Sequence, residues 1–152
     1  MSSIREKLQG IQSSLKAPKG QTNKFGGYNY RSCEDILGAL KPLLAKFKCC
    51  IVISDDIVDK GGRLFVESSA QLFDNESVDF LFAKGFAEIA ESKKGMDLAQ
   101  ITGSASSYSR KYALNGLFAI DDVKDADATN THGRPSPSKK PSAKTDDAFD
   151  LL

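Results

Sequence analysis

The fold is decided by residues 49–73, CCIVISDDIVDKGGRLFVESSAQLF, which predict a β-hairpin. Residues 49–58 are rich in isoleucine and valine, the side chains that strands favour. The turn falls at KGGR, 60–63, because Gly61 and Gly62 accept the positive φ that a tight hairpin turn requires. After the turn, apolar and polar residues alternate with the period of two that separates the faces of a sheet.

A third strand and further helices extend this hairpin into a domain. Residues 78–90 are expected to form the strand. Apolar residues at helical spacing predict helices over residues 3–16 and from Ser32 to about Phe47, and Pro42 is expected to kink or divide the second one. With a last helix after the strands, the order is α-α-β-β-β-α. This order predicts an α+β domain, an antiparallel three-stranded sheet with helices packed on it.

The last helix has an unusual middle. Residues 100–114, QITGSASSYSRKYAL, contain Gly103 and a run of serines, which are poor helix formers compared with alanine or leucine. Asp97 is a good N-cap, and Asn115-Gly116 is a typical end signal. So many small residues predict that something approaches the helix backbone closely.

At about 100° per residue, this helix separates into two stripes. The apolar stripe, expected to face the core, comprises Leu98, Ile101, Ala105, Tyr108 and Tyr112. The opposite stripe is small and cationic and comprises Gln100, Gly103, Ser104, Ser107, Arg110 and Lys111. Serine hydroxyls and the two cations suit a phosphate chain, and small residues also suit a neighbouring subunit's backbone. Tight packing of the helix on the sheet explains the small residues equally, so both interpretations stay open.

Between the first two helices, residues 17–24 are expected to form a loop. Residues 25–31, FGGYNYR, then place two glycines before Tyr28 and Tyr30. Each tyrosine is suited both to stacking on a base and to a buried structural role.

The composition limits the chemistry that the domain can perform. The chain has 152 residues, three cysteines without CxxC spacing and one histidine, His132, in a Pro/Ser-rich stretch. A disulfide scaffold, a zinc site and a His-dependent catalytic triad are therefore not expected. Residues 1–131 hold 17 Lys/Arg and 17 Asp/Glu, so nucleic-acid binding would require a local patch of charge. No apolar run is long enough for a membrane span.

The composition changes after about residue 124. Residues 125–145 are rich in Pro, Ser, Thr, Lys and Asp, which predicts a disordered linker after a domain at 1–124. Residues 146–152 form an acidic and hydrophobic tip made of Asp146, Asp147, Phe149, Asp150, Leu151 and Leu152. It is similar to the tips by which bacterial single-strand binding proteins recruit partners. The tip is expected to dock on a partner or on the protein's own candidate phosphate-binding surface, and the alternative is an inert, solubilising end.

Two segments of the chain are distinctive: YNYRSCEDILGALKPLL, 28–44, and ESKKGMDLAQITGSASSYSRKYALNGLFAIDD, 91–122. Both resemble the ERF (essential recombination function) family of phage single-strand annealing proteins. The matching elements in the second are the Lys-Lys-Gly-Met loop, Gln100 with Gly103 and Ser104, and the Tyr-x-Arg-Lys-Tyr-Ala-Leu run at 108–114. The resemblance covers roughly residues 5–130 and leaves out the tail.

The resemblance implies ATP-independent binding of single-stranded DNA and annealing of complementary strands in phage homologous recombination. It implies a β-β-β-α core, assembly into homo-oligomeric rings or helical filaments, no enzymatic activity, and no cofactor or metal. The expected partners are single-stranded DNA, further copies of the chain and, through the tail, a host or phage single-strand binding protein or an exonuclease. The expected location is the host cytoplasm, without membrane attachment.

Candidate DNA contacts are cationic, small polar or aromatic side chains. They are Lys93, Lys94, Arg110 and Lys111, then Arg31, Lys84, Lys60 and Arg63, with Gln100, Ser104, Ser107, Tyr28 and Tyr30. Gly103 is the position where a DNA backbone or a neighbouring protomer is expected to approach. Lys93 and Lys94 fit an ordinary exposed loop as well.

Three other classes of function remain open at this point. The protein fits a single-strand binder that protects DNA without annealing it, or a partner-docking protein whose DNA binding is incidental. It also fits a nuclease that uses Asp55-Asp56 or Asp121-Asp122 with magnesium, although such pairs are common at strand and helix ends.

Overall fold

The computed structural model describes residues 1–120 and confirms the α+β prediction. The elements are α1 (Ile4–Ser14), β1 (Gln21–Asn23), β2 (Tyr28–Tyr30), α2 (Cys33–Lys46), β3 (Cys49–Lys60), β4 (Arg63–Asp74), β5 (Phe80–Glu88) and α3 (Leu98–Phe118). Strands β3, β4 and β5 form an antiparallel sheet in that order. Among the helices of residues 1–120, none has both the length and the apolar character that crossing a membrane requires.

The β3–β4 hairpin has the predicted turn. Lys60 pairs with Arg63, and Gly61 and Gly62 have φ values of 64° and 84°. Along β4 every second residue from Val66 onward is buried. These residues share one core with apolar residues of all three helices, so the helices pack on one side of the sheet, here called the covered face.

The other side of the sheet, the open face, remains exposed in the described part of the chain. Val52, Phe80 and Phe82 retain 50%, 49% and 56% of their accessible surface. Phe80 stacks between Phe73 and Phe82, with ring centroids 5.6 and 6.5 Å apart. Phe73 of β4 and Phe80 and Phe82 of the edge strand β5 therefore form a row of partly exposed aromatic rings on the open face.

A second, smaller sheet corrects the prediction of a loop before α2. β1 and β2 pair antiparallel, with Gln21 opposite Tyr30. The Asn23 side chain accepts hydrogen bonds from the backbone N–H groups of Phe25 and Gly26, and Gly27 has a φ of 62°. Asparagine side chains often stabilise a turn in this way, so Asn23 is the local sequence signal for this hairpin.

Helices α1, α2 and α3 each begin at a capping box. The side chains of Ser3, Ser32 and Asp97 each accept a hydrogen bond from the backbone N–H of the third helical residue. In return, the backbone N–H of each capping residue donates to the side chain of that third residue. Helix α2 is not divided at Pro42, which lies exposed within it. The core contacts of Leu40 and Leu44, on either side of the proline, hold both halves of the helix in place.

Helix α3 extends beyond its predicted end near Asn115-Gly116. It runs to Phe118 and closes with Ala119 in the left-handed conformation, at a φ of 51°. Leu117 and Phe118 are 5% and 1% exposed. Burial of these two side chains outweighs the unfavourable helix propensity of Gly116.

The predicted apolar stripe of α3 is wrong in three of its five positions. Leu98, Tyr108 and Tyr112 are 74%, 49% and 47% exposed. The buried residues are instead Ile101, Ala105, Ser109, Ala113, Leu114, Leu117 and Phe118. Most of them follow at intervals of four, and in the middle of the helix they are small.

Gly85 of β5 explains why the buried stripe is small. A Cβ atom on Gly85 would lie 2.3 Å from the Ser109 carbonyl oxygen and 2.4 Å from the Ala113 nitrogen. The backbones of β5 and α3 are therefore in direct contact, and a tyrosine would not fit between them. Part of the small-residue content of α3 thus serves packing on the sheet.

Candidate nucleic-acid interface

Helix α3 and the edge of β5 enclose a groove of about 480 Å³, here called the β5–α3 groove. Its lining includes Phe86, Lys93, Met96, Ser104, Tyr108 and Tyr112. The loop before α3 turns at Gly95, whose φ is 81°, and Met96 N–H donates to the Lys93 carbonyl. This turn places Lys93 beside a mostly apolar and aromatic channel, whose lining also includes the carboxylate of Glu88.

Lys111 lies among three tyrosine rings, which together form the tyrosine–lysine cluster. Its Nζ is 4.9 Å from the ring centroid of Tyr108 and 5.8 Å from those of Tyr30 and Tyr112. Cation–π attraction holds the ammonium against these ring faces. Burial lowers the pKa of Lys111, and repulsion from Arg31 lowers it further. A nearby anion would relieve both effects.

Arg110 makes an ion pair with Asp55 of β3 on the covered face of the sheet. Its Nε and Nη2 lie 3.1 and 3.0 Å from carboxylate oxygens. Ser106 and Ser68 also donate to Asp55, over 2.5 and 2.6 Å. Burial acts to raise the pKa of Asp55, but the hydrogen bonds from Arg110 and the serines bring it below its ordinary value. Asp55 is therefore a fixed anion beside the predicted phosphate contacts.

The other residues of the small cationic stripe lie at or near the surface. Ser104 is half-buried in the groove, and Ser107 is exposed. The Gln100 side chain accepts from Asp97 N–H in the capping box, which fixes it at the helix start. Gly103 is exposed, and a Cβ there would meet nothing within 4 Å. Gly103 makes no close contact within the described domain and stays a predicted approach position.

Three predicted contacts do not lie beside Arg110 and Lys111. Lys60, Arg63 and Lys84 lie on the open face of the sheet, as the strand register requires. Arg63 pairs with Glu88, which also lines the β5–α3 groove, and Lys84 pairs with Glu67 at 2.6 Å. The structure therefore does not bring them together with Arg110 and Lys111.

The remaining candidates differ in how accessible they are. Arg31 is 2% exposed, so in this conformation it acts on the surface through its charge rather than by direct contact. Tyr30 is half-buried beneath Lys111. Tyr28 lies in β2, and Lys94 is exposed next to Lys93 in the loop before α3.

Four residues of the site were not predicted as contacts. Asp55 and Ser106 belong to the site because α3 packs on the sheet and brings them together. The sequence carries no local signal for this packing. Tyr108 and Tyr112 were assigned to the core, but their rings lie 6.3 Å apart at the surface. The spacing of Ile101 and the small residues that follow it at intervals of four would have indicated the true buried face.

The acidic pair considered for metal chemistry is divided by the sheet. Adjacent residues of a strand point to opposite faces, so Asp55 lies on the covered face and Asp56 on the open face. They cannot ligate one ion together. Asp121 and Asp122 lie outside the described residues, as do His132, the predicted linker and the predicted tail tip at 146–152.

These observations define a class of protein: an α+β domain with a β-β-β-α core and a cationic, aromatic face on its last helix. The chain belongs to the ERF superfamily, whose family model matches residues 4–149. The predicted resemblance is confirmed, and the match reaches beyond residue 130 into the tail. The chain is also similar to the essential recombination function protein of Salmonella phage P22, with 54% identity over 121 residues. That match covers 80% of this chain and 57% of the relative, so the chain spans little more than half of the relative's length.

Proposed function

We propose that the protein binds single-stranded DNA and anneals complementary strands, without ATP and without enzymatic chemistry, during phage homologous recombination. The observation that carries the proposal is the tyrosine–lysine cluster beside the β5–α3 groove. Cations next to exposed aromatic rings are the usual means of binding single strands, because phosphates seek charge and every base has a face that can stack.

The arrangement suggests how one strand would be held. Lys93 and Lys111 lie beside the groove and would contact phosphates, while Tyr108 and Tyr112 offer ring faces to bases. Such contacts carry no sequence information, which annealing requires, because any complementary pair must be accepted. A base that stacks on a ring uses its face, so its pairing edge would remain open to a second strand.

Removing the two cations of α3 tests this surface. Arg110→Gln plus Lys111→Gln should weaken binding of an oligothymidine and reduce its salt slope by about 1.4, since each lost single-strand phosphate contact removes roughly 0.7. The matched control is Lys60→Gln plus Lys84→Gln, which removes the same charge from the open face. Fluorescence anisotropy at several salt concentrations measures both variants.

Equal weakening by both pairs would contradict the assignment to α3, because it would show only the effect of bulk charge. An annealing assay with complementary oligonucleotides distinguishes annealing from protection. A protein that binds each strand but does not accelerate duplex formation is a protective single-strand binder.

Homo-oligomerisation would compensate for the weak charge of a single chain. Residues 1–131 have a formal net charge of zero, so repetition of one weak site along a strand is the means by which affinity would accumulate. The open face is the surface on which a second copy would pack. Its aromatic residues are exposed, and contiguous apolar surface of this kind is typical of protein interfaces.

Polar substitutions on the open face test this assembly. Phe80→Ser plus Phe82→Ser should shift the mass distribution from oligomers towards monomers in mass photometry. The control is Phe25→Ser, which removes a phenylalanine that is 104% exposed in the β1–β2 turn. If the double variant assembles as the wild type does, subunits meet elsewhere, and Gly103→Leu then tests the predicted approach at α3.

A further inference from the structure

Asp55 holds the guanidinium that the proposed DNA site needs. Both carboxylate oxygens accept from Arg110, at 3.0 to 3.1 Å, across 55 positions of the sequence. A carboxylate and a phosphate use the same planar fork of N–H donors, so the guanidinium cannot satisfy both fully. A carboxylate in contact with Arg110 therefore opposes the binding of another anion at this guanidinium.

We infer that Asp55 is an internal competitor for DNA phosphate at Arg110 and thereby sets the affinity of the interface, an inference that rests on the proposed function. In the free protein the Asp55 carboxylate forms an ion pair with the Arg110 guanidinium. When a strand binds, a phosphate takes the place of the carboxylate at the guanidinium. Asp55 is thus a positioning residue and makes no contact with DNA.

The contacts around Asp55 make this exchange possible without leaving a bare charge. Ser68 and Ser106 donate to different carboxylate oxygens, over 2.6 and 2.5 Å. Both hydrogen bonds remain when Arg110 turns away. Ser68 is itself fixed by Ser109, with the two hydroxyl oxygens 2.5 Å apart and both residues fully buried. The acceptor is therefore held rigidly, whereas the side chain of Arg110 is 40% exposed and has room to turn.

The exchange has a consequence for annealing. A strand held by unopposed cations would leave the surface slowly, because most differences in affinity reside in the dissociation rate. Asp55 re-forms its ion pair with Arg110 whenever a phosphate leaves. This competition makes each phosphate contact weak and reversible. A paired duplex is then released while the oligomer retains many contacts at once.

Asp55→Asn tests the inference, because asparagine keeps the size and an acceptor for the serines but loses the charge. Affinity for an oligothymidine should rise about two- to five-fold, the range that an exposed ion pair contributes. The salt slope should stay close to that of the wild type, because Arg110 contacts a phosphate in both complexes and only the competing carboxylate is lost. The matched control is Glu67→Gln, which frees Lys84 on the open face with the same change in net charge and should leave affinity unchanged.

The Arg110→Gln background gives the decisive comparison. There Asp55→Asn should have no effect, since the cation that it releases is absent. Three results would overturn the inference. The affinity gain from Asp55→Asn could persist without Arg110, or it could equal that from Glu67→Gln. The third is no gain in affinity in an Asp55→Asn variant that melts like the wild type. Where Asp55→Asn lowers the melting temperature, Asp55→Ser provides the second variant and should give the same rise. Wild-type protein that binds no single-stranded DNA would overturn the proposed function itself, and the inference with it.

Discussion

Replacing Gly85 with alanine should destabilise the domain by about 3 kcal/mol or more, at the upper end of the cost of overpacking. The added Cβ would lie 2.3 Å from the Ser109 carbonyl oxygen and 2.4 Å from the Ala113 nitrogen. Both are backbone atoms of α3, so no side chain can rotate to make room. The helix would have to move away from the sheet and lose its buried contacts. Urea unfolding followed by circular dichroism measures the loss.

Gly103→Ala is the matched control, because it also adds one methyl group at a glycine. A Cβ at Gly103 meets nothing within 4 Å, and alanine is favoured over glycine in a helix. This variant should therefore be more stable than the wild type, by up to about 1 kcal/mol. Equal stability of the Gly85→Ala variant and the wild type would mean that the helix and the strand are less closely packed than this structure has them.

The elements of the fold could be predicted because their signals are local. Ser32 and Asp97 mark helix starts through hydrogen bonds to residues three positions away. Gly61 and Gly62 mark the hairpin turn by their φ values. Signals of this kind need no knowledge of the rest of the chain. The end of α3 was predicted too early, because the burial of Phe118 depends on the whole core.

The face of α3 that packs on the sheet could not be predicted in the same way. An average helical wheel places large apolar residues inside, and it therefore assigned Tyr108 and Tyr112 to the core. The deciding residue, Gly85, lies on another element and admits only small residues opposite it. The ion pair of Arg110 with Asp55 depends on the same packing, so the site could be found only in part.

The largest effect on DNA binding is expected from removing the two exposed rings of the tyrosine–lysine cluster. Tyr108→Ala plus Tyr112→Ala should weaken binding of single-stranded DNA by about 100-fold or more, because stacking of one base on one ring contributes about 1–3 kcal/mol. Both side chains are nearly half exposed, so the domain should stay folded. Fluorescence anisotropy measures the binding, and thermal unfolding measures the stability.

The conservative pair, Tyr108→Phe plus Tyr112→Phe, separates stacking from hydrogen bonding. Phenylalanine keeps the ring face and loses the hydroxyl, so this variant should bind almost as the wild type does. Phe118→Ala supplies the opposite control, since Phe118 is 1% exposed and its removal should cost about 3–5 kcal/mol of stability. If the alanine pair unfolds as Phe118→Ala does, the tyrosines are structural. If it stays folded and binds normally, bases stack elsewhere, and the cations of α3 would then hold the strand by its phosphates alone.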